Sequence, residues 1–247
     1  MKYCRFKDKH GKWFKLFYDT ENDSFEIVVN EVFFEECYKK GLDWIKKINN
    51  PIVVDIGAFI GDTALYFNQC KGAQIYALEP SKNNFNCLVH TVSGFKNIKV
   101  LDRAILNESG TINLNLGNIP GNGGESFYQA TKQSNKSEKV IAITLDYFMK
   151  LAKIDHIDLL KIDIEGAEYE VLGGPMFEKL NKKVDAIIGE THITPALPCI
   201  IEKMLTDYGY KFEWLPYKNM TYHWESHSDT WSKNVVVNLP TLFFAHR

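Results

Sequence analysis

No stretch of this chain approaches the roughly 18 consecutive apolar residues that a membrane-spanning helix needs, which argues against membrane insertion. The run MKYCRFKDKHGKWFKLFYD is charged throughout and lacks the apolar core of a secretory leader. Cysteine is sparse: the five residues (Cys4, Cys37, Cys70, Cys87 and Cys199) are scattered, odd in number and never spaced CxxC. That excludes a zinc ribbon and a disulfide framework, and suits a reducing cytoplasmic setting. Neither sign of charge dominates. With a net charge of −2 and a pI near 6.4, no basic stripe runs along the chain, so no nucleic-acid partner is expected. There is no internal repeat and no convincing domain boundary.

What remains is an ordinary globular composition, 45% hydrophobic and 24% charged, over 247 residues. From Pro51 onward the pattern alternates. IVVDIG, AQIYALEP, NIKVLDRAIL, GTINLNL, VIAIT, IDLLKID, VDAIIGETH, YKFEWL and TLFFAH read as strands. Helices are expected from Asp62 to Cys70, after Ser81 as cap, over LDYFMKLAKI, after Gly166, and over 196–208. Strands alternating with helices mean βαβ units: a doubly wound, Rossmann-like, mainly parallel sheet. The last two strands have no helix between them and should form an antiparallel hairpin at one edge, with an antiparallel C-terminal edge strand. Residues 1–50 read as an extension packed on the core, with KWFKLFYD and SFEIVVN as strands and a helix over 31–49. Residues 51–247 read as the main domain.

In an open parallel sheet, ligands bind at strand exits, where the strand order reverses. The stretch VVDIGAFIGDTALYF places Asp55, Gly57 and Gly61 at such an exit. A dinucleotide fingerprint is GxGxxG, whereas this spacing is DxGxxxG. A pyrophosphate disfavours a neighbouring carboxylate; a ligand carrying an ammonium and a sulfonium favours one. S-adenosylmethionine matches that description, and Asp55 would serve it directly or through water. Gly57, Ala58, Phe59, Gly61, Asp62 and Thr63 form the loop and helix start beside it. Glu79, followed by Pro80 and Ser81, ends the second strand, where a carboxylate can accept both ribose hydroxyls. Asp102 and Ala104, flanking Arg103, end the third and are placed against the adenine.

The segment LLKIDIE sets Lys161, Asp163 and Glu165 on one face of a strand exit. Buried without partners, such charges would be costly, so either a site or an ion-pair network explains them. Asp163 and His192, at the end of VDAIIGETH, are the candidate general bases, with Glu190 placed to orient the imidazole. HWESH spaces His223 and His227 four apart around Glu225, but too few ligands are fixed by spacing, and no metal is expected. Tyr217, Tyr222, Trp224 and Trp231 could wall an acceptor pocket, and the glycine-rich stretch 117–139, with Gly121, Gly123 and Gly124 as hinges, reads as a lid.

VVDIGAFIGDTALYF, IYALEPS and above all KIDIEGAE (Lys161–Glu168) closely resemble the FkbM family of class I methyltransferases, over about Ile52–His192. The resemblance implies a seven-stranded Rossmann-like sheet and O-methyl transfer from S-adenosylmethionine, often to sugars or natural products. Phe59 stands where that family commonly has Asn, and GNGGESF, with Glu125, where it often has a GGSS-like stretch. The expected function is methyl transfer to a hydroxyl of a small or saccharide acceptor, a glycolipid included, by a monomer or homodimer. The competing readings are a nicotinamide-dependent oxidoreductase and a catalytically silent cofactor-binding module.

Overall fold

The computed structural model describes residues 1–19, 25–116, 137–192, 197–215, 219–224, 235–240 and 242–247. Strands β1 (Lys2–Lys7) and β2 (Trp13–Tyr18) form an antiparallel hairpin whose turn is closed by Asp8, which accepts the N–H groups of His10 and Lys12. Helix α1 (Phe25–Val29) runs into a π-helical turn, Asn30–Phe34, and α2 (Lys39–Ile45) follows. This corrects the sequence reading: Phe25–Val29 is helical rather than extended, and the strand paired with WFKLFY is KYCRFK. Burial of Phe25, Val32 and Phe33, at helical spacing, explains why the β-branched run does not extend.

The alternation then proceeds through β3 (Ile52–Ile56), α3 (Asp62–Phe67), β4 (Gln74–Leu78), α4 (Lys82–Val92) and β5 (Ile98–Leu101). NIKVLDRAIL is two strands rather than one. The chain leaves the main sheet at Asp102, and β6 (Ala104–Ile105) joins β7 (Gly110–Asn115) and β8 (Ser137–Ile143) in a separate three-stranded sheet. Next come α5 (Leu145–Ala152), β9 (Leu159–Ile162), α6 (Glu168–Gly173), α7 (Pro175–Leu180), β10 (Ala186–Glu190), α8 (Leu197–Asp207) and β11 (Lys211–Trp214). β12 (Asn219–Trp224) and β13 (Val235–Pro240) pair antiparallel, and β14 (Leu242–His246) closes the chain.

The main sheet has seven strands in the order β11-β14-β10-β9-β3-β4-β5. β14 runs antiparallel to both neighbours, so the expected hairpin stands at the edge, with β11 outermost and the antiparallel strand one place in. Each buried strand feeds both faces, as a period of two requires. Val53, Ile75, Leu159 and Ile188 pack with α3 and α4, the hairpin and the π-turn; Val54, Leu160, Ile162 and Ile187 pack with α5 to α8. Phe14 of the hairpin packs tilted against Phe33 with ring centroids 4.5 Å apart, and Phe33 meets Tyr66 of α3 edge-on. Strand order reverses between β3 and β9. Asp55 lies directly opposite Lys161 in that register, so two charged residues of the sequence motifs meet at the reversal.

Candidate active site

At the exits of β3, β4 and β9 lies a cavity of about 240 Å³. Its wall includes Gly57, Phe59, Asp62, Thr63, Glu79, Pro80 and Ala104, and its far side Lys161, Asp163, Glu165 and Glu190. Gly57 has φ +79°, and a Cβ there would stand 1.9 Å from the carbonyl oxygen of Asp163. The loop therefore requires glycine both for its left-handed backbone and for its close approach to the neighbouring strand. Gly61, at φ +92°, starts α3 from the same left-handed region. Phe59 also has positive φ, at 47°, in a conformation that Asn adopts more readily than a bulky residue. Its N–H donates to Glu79 Oε2 at 2.9 Å, while Ser81 N–H donates to Oε1 at 2.9 Å. Glu79 thus ties the two loops together. Ser81 begins α4, but its side chain makes no capping bond.

Asp55, Ala58, Gly61, Ser81 and Asp102 are not in the cavity wall. Asp55 is fully buried beneath it: Oδ2 accepts Thr63 Oγ1 at 2.5 Å and Oδ1 faces Lys161 Nζ at 3.4 Å. Asp102, expected against the adenine, is turned outward and pairs with the Arg103 guanidinium; Arg103 and Ala104 take the wall. Of Asp55, Asp62 and Asp102, it is Asp62 that reaches the surface of the cavity. It is 4% exposed, and its Oδ1 has no hydrogen-bond partner. Burial, reinforced by Asp55 against the pull of Lys161, pushes its carboxyl up to about 7.

Lys161 is the buried cation of the site, 1% exposed. Its ammonium donates to Gly57 O at 2.7 Å and stands 3.5 Å from Asp163 Oδ2. Burial disfavours its charge, but Asp163, Asp55 and Asp62 outweigh that and raise its pKa. Asp163 also accepts a hydrogen bond from Tyr38 at 3.2 Å. Burial works against the Asp163 carboxylate; Lys161 and His192 more than compensate and hold it below its ordinary value.

His192 lies beside this pair. Its Nδ1 meets Glu168 at 3.0 Å, and its Nε2 faces Asp163 Oδ1 and Glu165 Oε2, each at 3.8 Å. The orienting hydrogen bond comes from Glu168, whereas the sequence placed Glu190 there. Burial alone would lower the imidazole's pKa; Glu168, Glu165 and Asp163 raise it well above the usual value. Glu165, at φ 52°, is pushed up to about 8 by burial and by the neighbouring carboxylates, against the pull of His192. Asp163, Glu165 and His192 bring one ligand atom each within 4.8 Å of one another, so these three could hold a cation.

Sequence reasoning missed the contribution of the N-terminal segment: Cys37 and Tyr38, just before α2, Val28 of α1, and Glu31 and Val32 of the π-turn line the cavity. Glu168 is fully buried and accepts the N–H groups of Ile164 and Gly166, so it shapes the loop that carries Glu165. The lid expected at 117–139 lies outside the described residues up to 136; Ser137–Lys139 belong to β8, held by pairing with β7. Glu125, Tyr217, Glu225, His227 and Trp231 also lie outside them, as do the side chains of Tyr222, His223 and Trp224.

Residues 55–212 match the family model of the methyltransferase FkbM domain. The chain belongs to the FkbM methyltransferase family. It is 27% identical over 227 residues to methyltransferase sdnD of Sordaria araneosa, covering 77% of this chain and 86% of that one. It is 25% identical over 174 residues to methyltransferase 1 of Beauveria bassiana (strain ARSEF 2860), covering 60% of this chain and 66% of the relative. Among solved structures, precorrin-6y C5,15-methyltransferase from Geobacter metallireducens GS-15 aligns with a TM-score of 0.48 at 12% identity, over 87% of this chain and 90% of that one.

As an FkbM methyltransferase the chain uses S-adenosylmethionine as methyl donor, and the oxidoreductase and silent-module readings fall away. One feature of the cavity fits that donor: Asp62 offers a buried carboxylate oxygen without a hydrogen-bond partner, suited to a cation. Among the described residues no helix is long and apolar enough to cross a membrane.

Proposed function

We propose that this methyltransferase acts on a hydroxyl oxygen of a small or saccharide acceptor, with Asp163 as the catalytic carboxylate. When bound, S-adenosylmethionine supplies a methyl group already activated on a sulfonium, so the protein's task is alignment and removal of one proton. Asp62 receives the donor's ammonium. Glu79, in the cavity wall, accepts the ribose hydroxyls, and Pro80, Arg103 and Ala104 flank the adenine. Gly57 and Thr63 shape the wall. Asp55 acts from below, fixing Thr63 and Lys161; Ala58, Gly61 and Ser81 support the backbone of the two loops. These assignments rest on the positions of the residues around the cavity.

The observation that carries the acceptor reading is the Asp163 carboxyl at the far side of the cavity, flanked by Lys161, Tyr38 and His192, with Lys161 and His192 favouring its charged form. As the acceptor oxygen bonds to methyl it becomes positive, and its proton becomes acidic enough for a carboxylate to take. His192 has a different role from the one its reference pKa suggests. Held as an imidazolium by Glu168, it positions Asp163 and keeps it ionised. Lys161 is a positioning residue of the same kind.

The test is transfer of labelled methyl from S-adenosylmethionine to a panel of sugars, glycolipids and small alcohols, compared with amine and carboxylate acceptors. Product from hydroxyl acceptors, lost in Asp163→Asn with donor binding retained, supports the reading. Methylation of amines alone would overturn it.

A further inference from the structure

The outer face of the β1–β2 hairpin takes no part in the site above. The inner residues Phe6, Phe14 and Leu16 turn toward the core, and Phe17 N–H donates to Thr91 Oγ1 of α4 at 3.0 Å, so the hairpin is anchored. The outer residues form three cross-strand rungs: Tyr3 opposite Phe17, Arg5 opposite Lys15, and Lys7 opposite Trp13. Tyr3 is 57% and Trp13 58% exposed. The cations lie over the rings. Lys15 Nζ stands 4.2 Å from the Tyr3 centroid and 4.3 Å from that of Phe17; Lys7 Nζ and the Arg5 guanidinium stand 5.1 and 5.6 Å from that of Trp13. The outer face carries Arg5, Lys7 and Lys15 and no acidic residue, in a chain whose net charge is −2. Asp8 is buried in the turn and Glu36 pairs with Lys9, away from these rungs. Strand pairing therefore builds locally the basic stripe that the sequence as a whole lacks.

We propose that this face docks the protein on an anionic lipid bilayer. Exposed Trp and Tyr flanked by Lys and Arg are the composition that lies at the headgroup level, rings toward the acyl boundary and cations toward the phosphates. A single-stranded nucleic acid is disfavoured because its bases need open ring faces, and each of these rings already carries a cation. The remainder of the chain is negative overall, so attraction to an anionic surface acts through this face and fixes the orientation of approach. The proposal does not depend on which acceptor is methylated.

The experiment is co-sedimentation of the full chain with vesicles of phosphatidylcholine alone and of phosphatidylcholine mixed with phosphatidylserine, at low and raised salt. Binding to the mixed vesicles only, weakening with salt, is expected. Arg5→Gln and Lys15→Gln should each lower partition about fivefold. Trp13→Ala should lower it too, while methyl transfer in solution shows that each variant is folded. Equal binding to both vesicles, no binding to either, or undiminished binding by the variants would overturn the proposal. So would binding of a single-stranded oligonucleotide that these variants abolish while vesicles stay unbound.

Discussion

Lys161 reaches across from β9 and donates its ammonium to the carbonyl of Gly57, 2.7 Å away on β3's exit loop. One buried charge thereby ties the loop expected to carry the donor to the strand that carries Asp163. Lys161→Met removes the cation, leaving Asp55 without its counter-charge and Asp163 with His192 alone. Breaking a buried pair in this way costs about 3–5 kcal/mol. Urea denaturation of the variant checks this; a loss under about 1 kcal/mol would mean that the carboxylates find other compensation.

Gly57→Ala and Gly11→Ala form a matched pair. Both glycines have positive φ, +79° and +81°, but a Cβ at Gly11 meets nothing within 4 Å, whereas at Gly57 it would collide with the Asp163 carbonyl. The Gly11 variant should lose about 1–2 kcal/mol, the cost of the left-handed backbone alone. The Gly57 variant should lose a further 1–3 kcal/mol or so by overpacking, along with donor affinity. Equal losses in thermal or urea unfolding would contradict the close approach.

The Asp62 carboxyl, raised to about 7 in the folded chain, gives a pH signature with a definite sign. Because the folded state holds this proton more tightly than the unfolded state does, its contribution is full at low pH. It is lost as pH rises from the ordinary carboxylate range through about 7. Asp62→Asn should therefore flatten the stability profile over that window and make the fold more stable at pH 8. The same variant should bind S-adenosylhomocysteine about tenfold more weakly, since a charge-assisted hydrogen bond is lost. Unfolding and calorimetric titration across pH separate the two effects. Undiminished affinity would remove Asp62 as the ammonium's partner.

His192 carries the opposite kind of charge. With its pKa raised by Glu168, Glu165 and Asp163 against the effect of burial, its stabilising contribution is complete below the ordinary imidazole range and is lost as pH rises through the folded value. His192→Ala should be less stable than the parent at pH 6, with the gap closing at alkaline pH. Donor binding should persist while turnover falls. Parental turnover in this variant would show that Asp163 needs no imidazolium beside it.

The cluster of Asp163, Glu165 and His192 makes metal dependence a direct question. Proton removal by Asp163 needs no metal, so methyl transfer should survive a chelator. Complete loss, restored by a divalent ion, would reassign these three residues as its ligands and replace the carboxylate mechanism.

Much of this was legible in the sequence because the central strands are apolar on both faces and punctuated by glycine. Ile52–Ile56, Gln74–Leu78 and Leu159–Ile162 fall where their pattern put them, with Leu159 and Leu160 on opposite faces. The N-terminal segment was not: in KYCRFK aromatic and apolar side chains fall on both faces, so alternation carries no contrast, and Val28–Val29 looks β-forming within a helix. Asp55 and Asp62 show why the site was only partly legible. Spacing identifies both carboxylates, but only the structure shows Asp55 beneath the cavity, bonded to Thr63 and ion-paired with Lys161, and Asp62 in the cavity wall. Glu168 escaped because its work is done on backbone N–H groups and on a histidine 24 residues away.

The most direct test of the central claim is titration of S-adenosylhomocysteine into the parent protein, Glu79→Gln and Asp62→Asn. The account predicts micromolar binding by the parent and at least about tenfold weaker binding by each variant, a loss of some 1.4 kcal/mol. Parental affinity in both variants would contradict the placement of the donor at the exits of β3 and β4.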